Sequence, residues 1–232
     1  MLEEERRRGV GSALYEAISE YASSRGKDVL EVWVEDSDPD GAPFVRNRGF
    51  TEIGRELHVS LDLTEIEAPE VEAPPGVAII SWAERPDVIR GLYEVAVEAS
   101  LDIPGDEDDQ IEPFEDWVSH EMESSPGDRK DATFVAIAGD EVVGYSKFSL
   151  SRAQPKVAHH DLTGVKRAWR RRGIARALKQ AQIAWAKREG YERLQTRNEE
   201  RNEPIRRLNK EFGYRPSGER ILFKGPLSGS GT

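Results

Sequence analysis

From residue 174 to residue 188 the apolar side chains fall on one helical stripe. Ile174, Leu178, Ala181 and Trp185 recur at the spacing of an amphipathic helix. The same beat occurs over 11–25, where Leu14, Ile18 and Tyr21 share a face, and over 86–100, where Val88, Leu92, Val95 and Ala99 do. Shorter apolar or alternating runs read as strands: 29–35, 58–63, 77–82, 133–139, 141–150, 157–165, 192–198 and 219–225. Gly139-Asp140, between two of these runs, signals a hairpin turn. The pattern also predicts a short helix over 42–48 and an acidic helix over 111–122. A further helix is expected over 204–212, with Asn202 or Glu203 at its entry and Gly213 as its stop.

The order of these elements repeats. RRRGVGSAL (6–14) and RRRGIARAL (170–178) stand 164 residues apart, and each opens a helix followed by a strand, a short helix and a strand. The first copy carries only this later part of the order. The period is too long for a solenoid and fits a duplicated domain. Between the copies, TEIEAPEVEAPPG (64–76) is rich in Pro and Glu and reads as an extended linker. The expected division is 1–63, a partial domain; 64–76, a linker; 77–227, a complete domain; and 228–232, a disordered tail.

Composition narrows the class. The 232 residues are 37% hydrophobic and 33% charged, enough for one large or two small soluble domains. No apolar run approaches the roughly 20 residues that span a bilayer, and no export signal opens the chain, so no membrane role and a cytoplasmic location are expected. The absence of cysteine removes disulfides, thiolate catalysis and cysteine-based zinc sites, and no metal is expected. Net charge is −11, but its distribution says more: 162–188 holds nine basic residues and no acidic one, while 102–123 holds ten acidic residues and no Lys or Arg. Overall acidity argues against nucleic-acid binding.

The repeated phrase has a physical meaning. A strand enters an Arg-rich turn, then a glycine, then a helix, whose first N–H groups lack partners and carry the positive end of the dipole. Gly173 lets backbone approach a ligand, Ala175 keeps the neighbouring surface small, and Arg170, Arg171, Arg172 and Arg176 add charge. This suits a polyphosphate; a solvated basic helix start is the plainer reading of an isolated R-x-x-G-x-A. No G-x-x-x-x-G-K-[ST] and no complete G-x-G-x-x-G is present, so neither a P-loop nor a dinucleotide fingerprint applies.

Val165, Arg170, Gly173 and Ala175, followed by a helix, a strand and then Asn202, Ile205, Leu208, Gly213 and Tyr214, form a pattern that resembles the GNAT superfamily of acyl-CoA-dependent N-acyltransferases. DLTGV, ARALK and NEPIRRLNKEFGY are similar to tandem members of the mycothiol-synthase type. The resemblance covers about 77–224 as a whole domain and 1–63 as a partial one. It implies an α/β fold with a mixed sheet and acetyl-CoA as cosubstrate, without a metal. The backbone N–H groups of Arg171, Arg172, Gly173, Ile174, Ala175 and Arg176 would cradle the CoA pyrophosphate. The backbone of Thr163 and Val165 would pair with pantetheine, which Asn202 would hydrogen-bond; the alternative for Asn202 is a plain N-cap.

In this family a neutral amine attacks the thioester while a base removes its proton. Counting back from Val165 by twos gives Thr163, Asp161 and His159 on one strand face, so Asp161 and His159 are the candidate bases; the alternative is polar groups at a strand end. Many members carry a Tyr seven residues after the Asn that protonates the leaving thiolate. Asn209 stands there and can only donate a hydrogen bond, which leaves the general acid unassigned. The acidic 102–117 region would favour a small cationic amine as acceptor, or is simply a solvated acidic face.

In the first copy Asp38 takes the Asn position and Val45 the Tyr position, and Met1 aligns with Val165. That copy is expected to keep a phosphate loop and to lack catalysis. Its unpaired sheet edge calls for docking on the rest of the chain or in a homodimer, or the chain is truncated at its start. A non-catalytic acyl-CoA-binding or scaffold domain is the competing function.

Overall fold

The computed structural model describes residues 3–102, 111–123, 129–199 and 202–229. The chain divides into two compact units, one formed by 1–57 with 218–232 and the other by 58–217. The elements in order are α1 (Val10–Ser24), β1 (Val29–Glu35), α2 (Gly41–Arg46), β2 (Thr51–Asp62), β3 (Ala78–Ser81), α3 (Ile89–Ser100), α4 (Phe114–Trp117), β4 (Phe134–Ala138), β5 (Glu141–Leu150), β6 (Val157–Val165), α5 (Ile174–Arg188), β7 (Arg193–Glu199), α6 (Glu203–Glu211) and β8 (Arg215–Pro226).

The elements recur at the spacing of the Arg-rich phrase. The bounds of α1, β1 and β2, each shifted by 164 residues, are those of α5, β7 and β8. The loops ahead of α1 and α5 share a backbone signature: Arg7 and Arg171 are the described non-glycine residues at positive φ, 62° and 61°, and Gly9 and Gly173 follow at 84° and 88°. Both glycines hold the left-handed conformation that a Cβ disfavours.

β8 is built into the first unit and the end of β2 into the second. In the first unit β8 pairs antiparallel with β1, from Val29↔Pro226 to Glu35↔Arg220. Ile221 and Phe223 of β8 are buried there with Val34, Val45 and Phe50. Conversely, Leu61 at the end of β2 and Leu63 just beyond it are buried in the second unit with Leu178, Ile183 and Leu194. The expected division had placed 219–225 wholly in the second domain; residues from Gly218 onward lie with the first unit. The expected disordered tail begins as ordered chain: Ser228 N–H donates to Ser19 Oγ at 2.9 Å. Residues 230–232 of that tail lie outside the described residues.

In the second unit β3, β4, β5 and β6 form an antiparallel meander, and β7 joins β6 in parallel. α5 packs on one face, where Ile174, Leu178 and Trp185 meet Ala136, Val143, Phe148 and Ala158. α3 packs on the other, where Leu92, Val95 and Ala96 meet Val135, Val142 and Tyr145. The stretch expected as an acidic helix over 111–122 is α4 followed by one π turn, Val118–Met122. The linker lies along α5: Lys187 Nζ donates to the carbonyls of Leu63 and Ile66, and Gln180 Oε1 accepts from Glu72 N–H at 3.0 Å.

Among the described residues no helix is long and apolar enough to cross a membrane.

Candidate active site

β6 ends in the basic loop, and the site is built around that end. Parallel pairing with β7 runs from Val157↔Arg193 to His159↔Gln195 and stops there, although β6 continues to Val165 and β7 to Glu199. The strands part, and the β6 backbone from Asp161 to Val165 keeps β5 as its neighbour on one side only. Thr163 and Val165, the expected pantetheine partners, stand on this released stretch.

One extra residue in β6 changes which side chains share a face. β5 pairs Ser146↔Thr163 and then Phe148↔His160, so three steps along β6 oppose two along β5. Before this bulge Ala158 and His160 face α5, the second through a 3.0 Å hydrogen bond between Nδ1 and Gln182 Oε1. After it Val165 does, packed in the same core, while a Cβ on Gly164 would meet Ala99 at 3.0 Å and Val95 at 3.1 Å on α3. His159 and Asp161 therefore lie on the opposite face from Thr163 and Val165. The alternation count that grouped all four is corrected by the bulge.

On that opposite face Lys147 Nζ stands 3.5 Å from Asp161 Oδ2 and also donates to the Glu121 carbonyl in the π turn. His159 Nε2 is 2.8 Å from Gln154 Oε1, and its pKa is lowered by burial and by Arg197. Asp161 is the more exposed of the two. The 103–110 stretch, expected to help choose the acceptor, lies outside the described residues.

The loop is shaped by its own arginines. Arg170 Nε donates to the Val165 carbonyl at 2.9 Å, tying the loop to the strand end. Asp102, just past α3, takes a bidentate bond from Arg167 at 3.0 and 2.6 Å and an ion pair from Arg170 at 2.6 Å. Those hydrogen bonds, Arg167's first, hold the Asp102 carboxyl down to about 2. Arg172 bonds the Ala168 carbonyl and lies over Trp169, and Arg176 pairs with Glu211. Arg171 is exposed and has no hydrogen-bond partner among the described residues. No side chain caps α5 at Gly173, and the N–H groups of Ile174, Ala175 and Arg176 open the helix, a geometry that suits an anion.

Asn202 sits at the N-cap position of α6, but its side chain makes no cap bond and the plain N-cap reading does not apply. Asn209 is 1% exposed; its Nδ2 donates to Asn198 Oδ1 at 3.2 Å, while Asn209 Oδ1 and Asn198 Nδ2 are buried without partners among the described residues. Sequence reasoning missed Asn198, although the inward alternation Leu194, Thr196, Asn198 marks it. It also missed a buried polar group behind the site. There Tyr214 Oη bonds His160 Nε2, and Lys179 Nζ lies 4.9 Å over the Tyr214 ring. Burial, followed by the Lys179 charge, drives the His160 pKa well below its usual value; burial lowers that of Lys179 to about 7.

The matching loop of the first unit is occupied differently. Arg6 bonds Asp38 at 3.0 Å and Arg7 pairs with Asp40, so two carboxylates stand at its mouth. The Asp40 N–H, and after it Arg6, hold the Asp38 carboxyl below its usual value.

The model of the acetyltransferase (GNAT) family matches residues 90–214, over half of the chain. No curated protein sequence matches it. Solved structures share the fold. A GCN5-related N-acetyltransferase from Sphaerobacter thermophilus aligns with a TM-score of 0.75 at 20% identity, over 97% of this chain and 70% of that one. A tandem GNAT protein from the clavulanic acid biosynthesis pathway aligns with a TM-score of 0.74 at 22% identity, over 99% of this chain and 73% of that one. A glucosamine N-acetyltransferase region of a fungal multi-domain enzyme aligns with a TM-score of 0.71 at 15% identity, over 95% of this chain and 28% of that one.

Proposed function

The chain belongs to the GNAT acetyltransferase family, and from that premise we propose that its second unit transfers an acetyl group from acetyl-CoA to a small, cationic amine. The observation that carries this is the parting of β6 from β7 beside a bare helix N-terminus. A pantetheine arm is an extended chain of amides, and the released β6 backbone at Thr163 and Val165 offers it the partners that β7 no longer takes. The N–H groups of Arg171 to Arg176 lie where the pyrophosphate would end. The Asn202 amide, which makes no cap bond, suits a second contact to the arm.

The reaction is direct. The amine nitrogen forms a bond to the thioester carbon, the C–S bond breaks, and the thiolate leaves with its electron pair. Asp161 accepts the amine proton, directly or through one water; His159 is the second candidate. The acidic stretch around Glu121 would draw an ammonium-bearing acceptor toward Asp161. The thiolate takes its proton from solvent, since Asn209 is an amide bonded to Asn198.

The same Asn209 supports a second reading, a domain that binds acyl-CoA without turnover. The first unit, in either reading, is a partial copy whose loop arginines are already neutralised by Asp38 and Asp40. Calorimetry with acetyl-CoA is expected to give one site per chain. Thiol release with a panel of amines is expected to show turnover with cationic acceptors. Tight binding with no turnover on any amine would favour the second reading; no binding would end both.

A further inference from the structure

On the face that carries Asp161, the second unit holds a buried hydroxyl with no role in the steps above. Tyr145 is 3% exposed and packs with Leu92 and Val95 of α3, Trp117 of α4 and Met122 of the π turn. Its Oη has no hydrogen-bond partner among the described residues. A buried hydroxyl without a partner is costly and calls for one. Among the described residues the fully enclosed oxygens without partners are Ser146 Oγ and Asn209 Oδ1, so Tyr145 Oη keeps contact with solvent. Tyr145 and Lys147 are two residues apart on β5 and share a face, about 7 Å apart along the strand. Lys147 Nζ in turn stands 3.5 Å from Asp161 Oδ2 and bonds the Glu121 carbonyl. Across the ladder Tyr145 pairs with Gly164, between Thr163 and Val165 on the released stretch of β6. Burial first, and then the charges of Asp161 and Glu121, push the Tyr145 pKa well above its usual value. The group is therefore a neutral hydroxyl, able to accept a hydrogen bond as well as donate one.

We propose that Tyr145 Oη accepts a hydrogen bond from the amine that Asp161 deprotonates, and that it thereby selects primary amines as acceptors. This rests on the acyl-transfer reading and names the acceptor class of the same site. A neutral primary amine has two N–H groups and one lone pair. One N–H points to Asp161, which takes that proton; the other is held by Tyr145. With both held, the lone pair is fixed and aimed at the thioester carbon. The lone pair forms the N–C bond, the C–S bond breaks, and its electron pair leaves on the thiolate. The amide product keeps one N–H, so the bond to Tyr145 lasts through the reaction, and Tyr145 keeps its own proton. A neutral secondary amine has one N–H, which the base must take. It leaves Tyr145 without a partner, and a site built to hold a polar group rejects the analogue that lacks it.

Steady-state thiol release by the full chain tests this. Each primary amine of the panel is paired with its N-methyl derivative, beginning with diaminobutane, a small cationic primary amine. Tyr145→Phe keeps the ring in the core and removes only the hydroxyl. It should lower kcat/KM for the primary amine about 10-fold, mainly through KM, as loss of one hydrogen bond does. The same substitution should leave kcat/KM for the N-methyl amine unchanged. Acetyl-CoA affinity by calorimetry should stay that of the parent, which also shows that the variant is folded. Equal effects on both amines, or none on either, would overturn the proposal and leave Tyr145 a core residue. A fall in kcat at unchanged KM would overturn it too, and place the hydroxyl at the thioester oxygen instead. A parent that turns over while the variant shows no such difference ends this proposal alone. A parent that binds acetyl-CoA and releases no thiol with any amine ends the acyl-transfer reading, and this proposal with it.

Discussion

Asp161 and His159 differ in ways that separate their roles. Both face away from the core that holds Val165, but Asp161 is exposed beside Lys147, whereas His159 is half buried against Gln154. Replacing Asp161 with Asn should lower kcat by about 100-fold or more, as loss of a general base does, and leave acetyl-CoA affinity unchanged by calorimetry. His159→Gln should have the smaller effect; equal rates in both variants would remove the base assignment. Lys179 offers a test of a different kind. Its folded pKa of about 7 lies below the ordinary 10.5, so the unfolded chain binds more protons and stability rises with pH between those values. Below about pH 7 the penalty is fully present, roughly 5 kcal/mol from the size of the shift. Lys179→Met should therefore raise the melting temperature at pH 7 and change it little near pH 11. A pH-independent difference between variant and parent would show that Lys179 is not buried in this state.

At the scale of elements, the loop depends on a helix that is distant in sequence. Asp102, beyond α3, holds Arg167 and Arg170, and Arg170 in turn holds the Val165 carbonyl. Asp102→Asn should weaken acetyl-CoA binding while leaving kcat at saturation near that of the parent, because the loop is shaped by the clamp and the chemistry is not. Its folded pKa of about 2 means the clamp persists above the ordinary carboxylate range and is lost only as pH falls through about 2. The sequence showed the loop and its glycine but not this partner, since the pairing joins residues 65 apart. Helices α1, α3 and α5 were legible because each carries an apolar stripe. β2 was read as 58–63 but begins at Thr51, because its first half, TEIGRE, shows no alternation. The β6 bulge left no mark in the sequence, and it reversed the face of His159 and Asp161; one added residue shifts a period-two pattern by a whole side.

For the whole molecule, the places taken by β8 and the end of β2 make the repeat boundary a poor place to cut. The repeat was legible because the Arg-rich phrase recurs, and a linker between its occurrences suggested independent domains. Strand pairing is nonlocal, and nothing in VSLDL or ILFKG says which unit each will join. Leu61 and Leu63, encoded before the linker, are 2% and 1% exposed inside the second unit. Ile221 and Phe223, encoded after it, are 3% and 0% exposed inside the first. A fragment starting at residue 77 would lack both leucines, at a cost of about 2–5 kcal/mol each by the measure of large-to-small core changes. It would also carry a final strand whose buried neighbours, Val34, Val45 and Phe50, are gone. Losses of that size are comparable with the whole stability of a domain. The 77–232 fragment should therefore show little cooperative thermal unfolding and bind acetyl-CoA poorly, although it contains every residue assigned to the site. Adding residues 1–76 as a separate chain should restore both. Cooperative unfolding and full affinity in the fragment alone would mean that β8 can pack within the fragment, and that its place in the first unit is not needed to build the site.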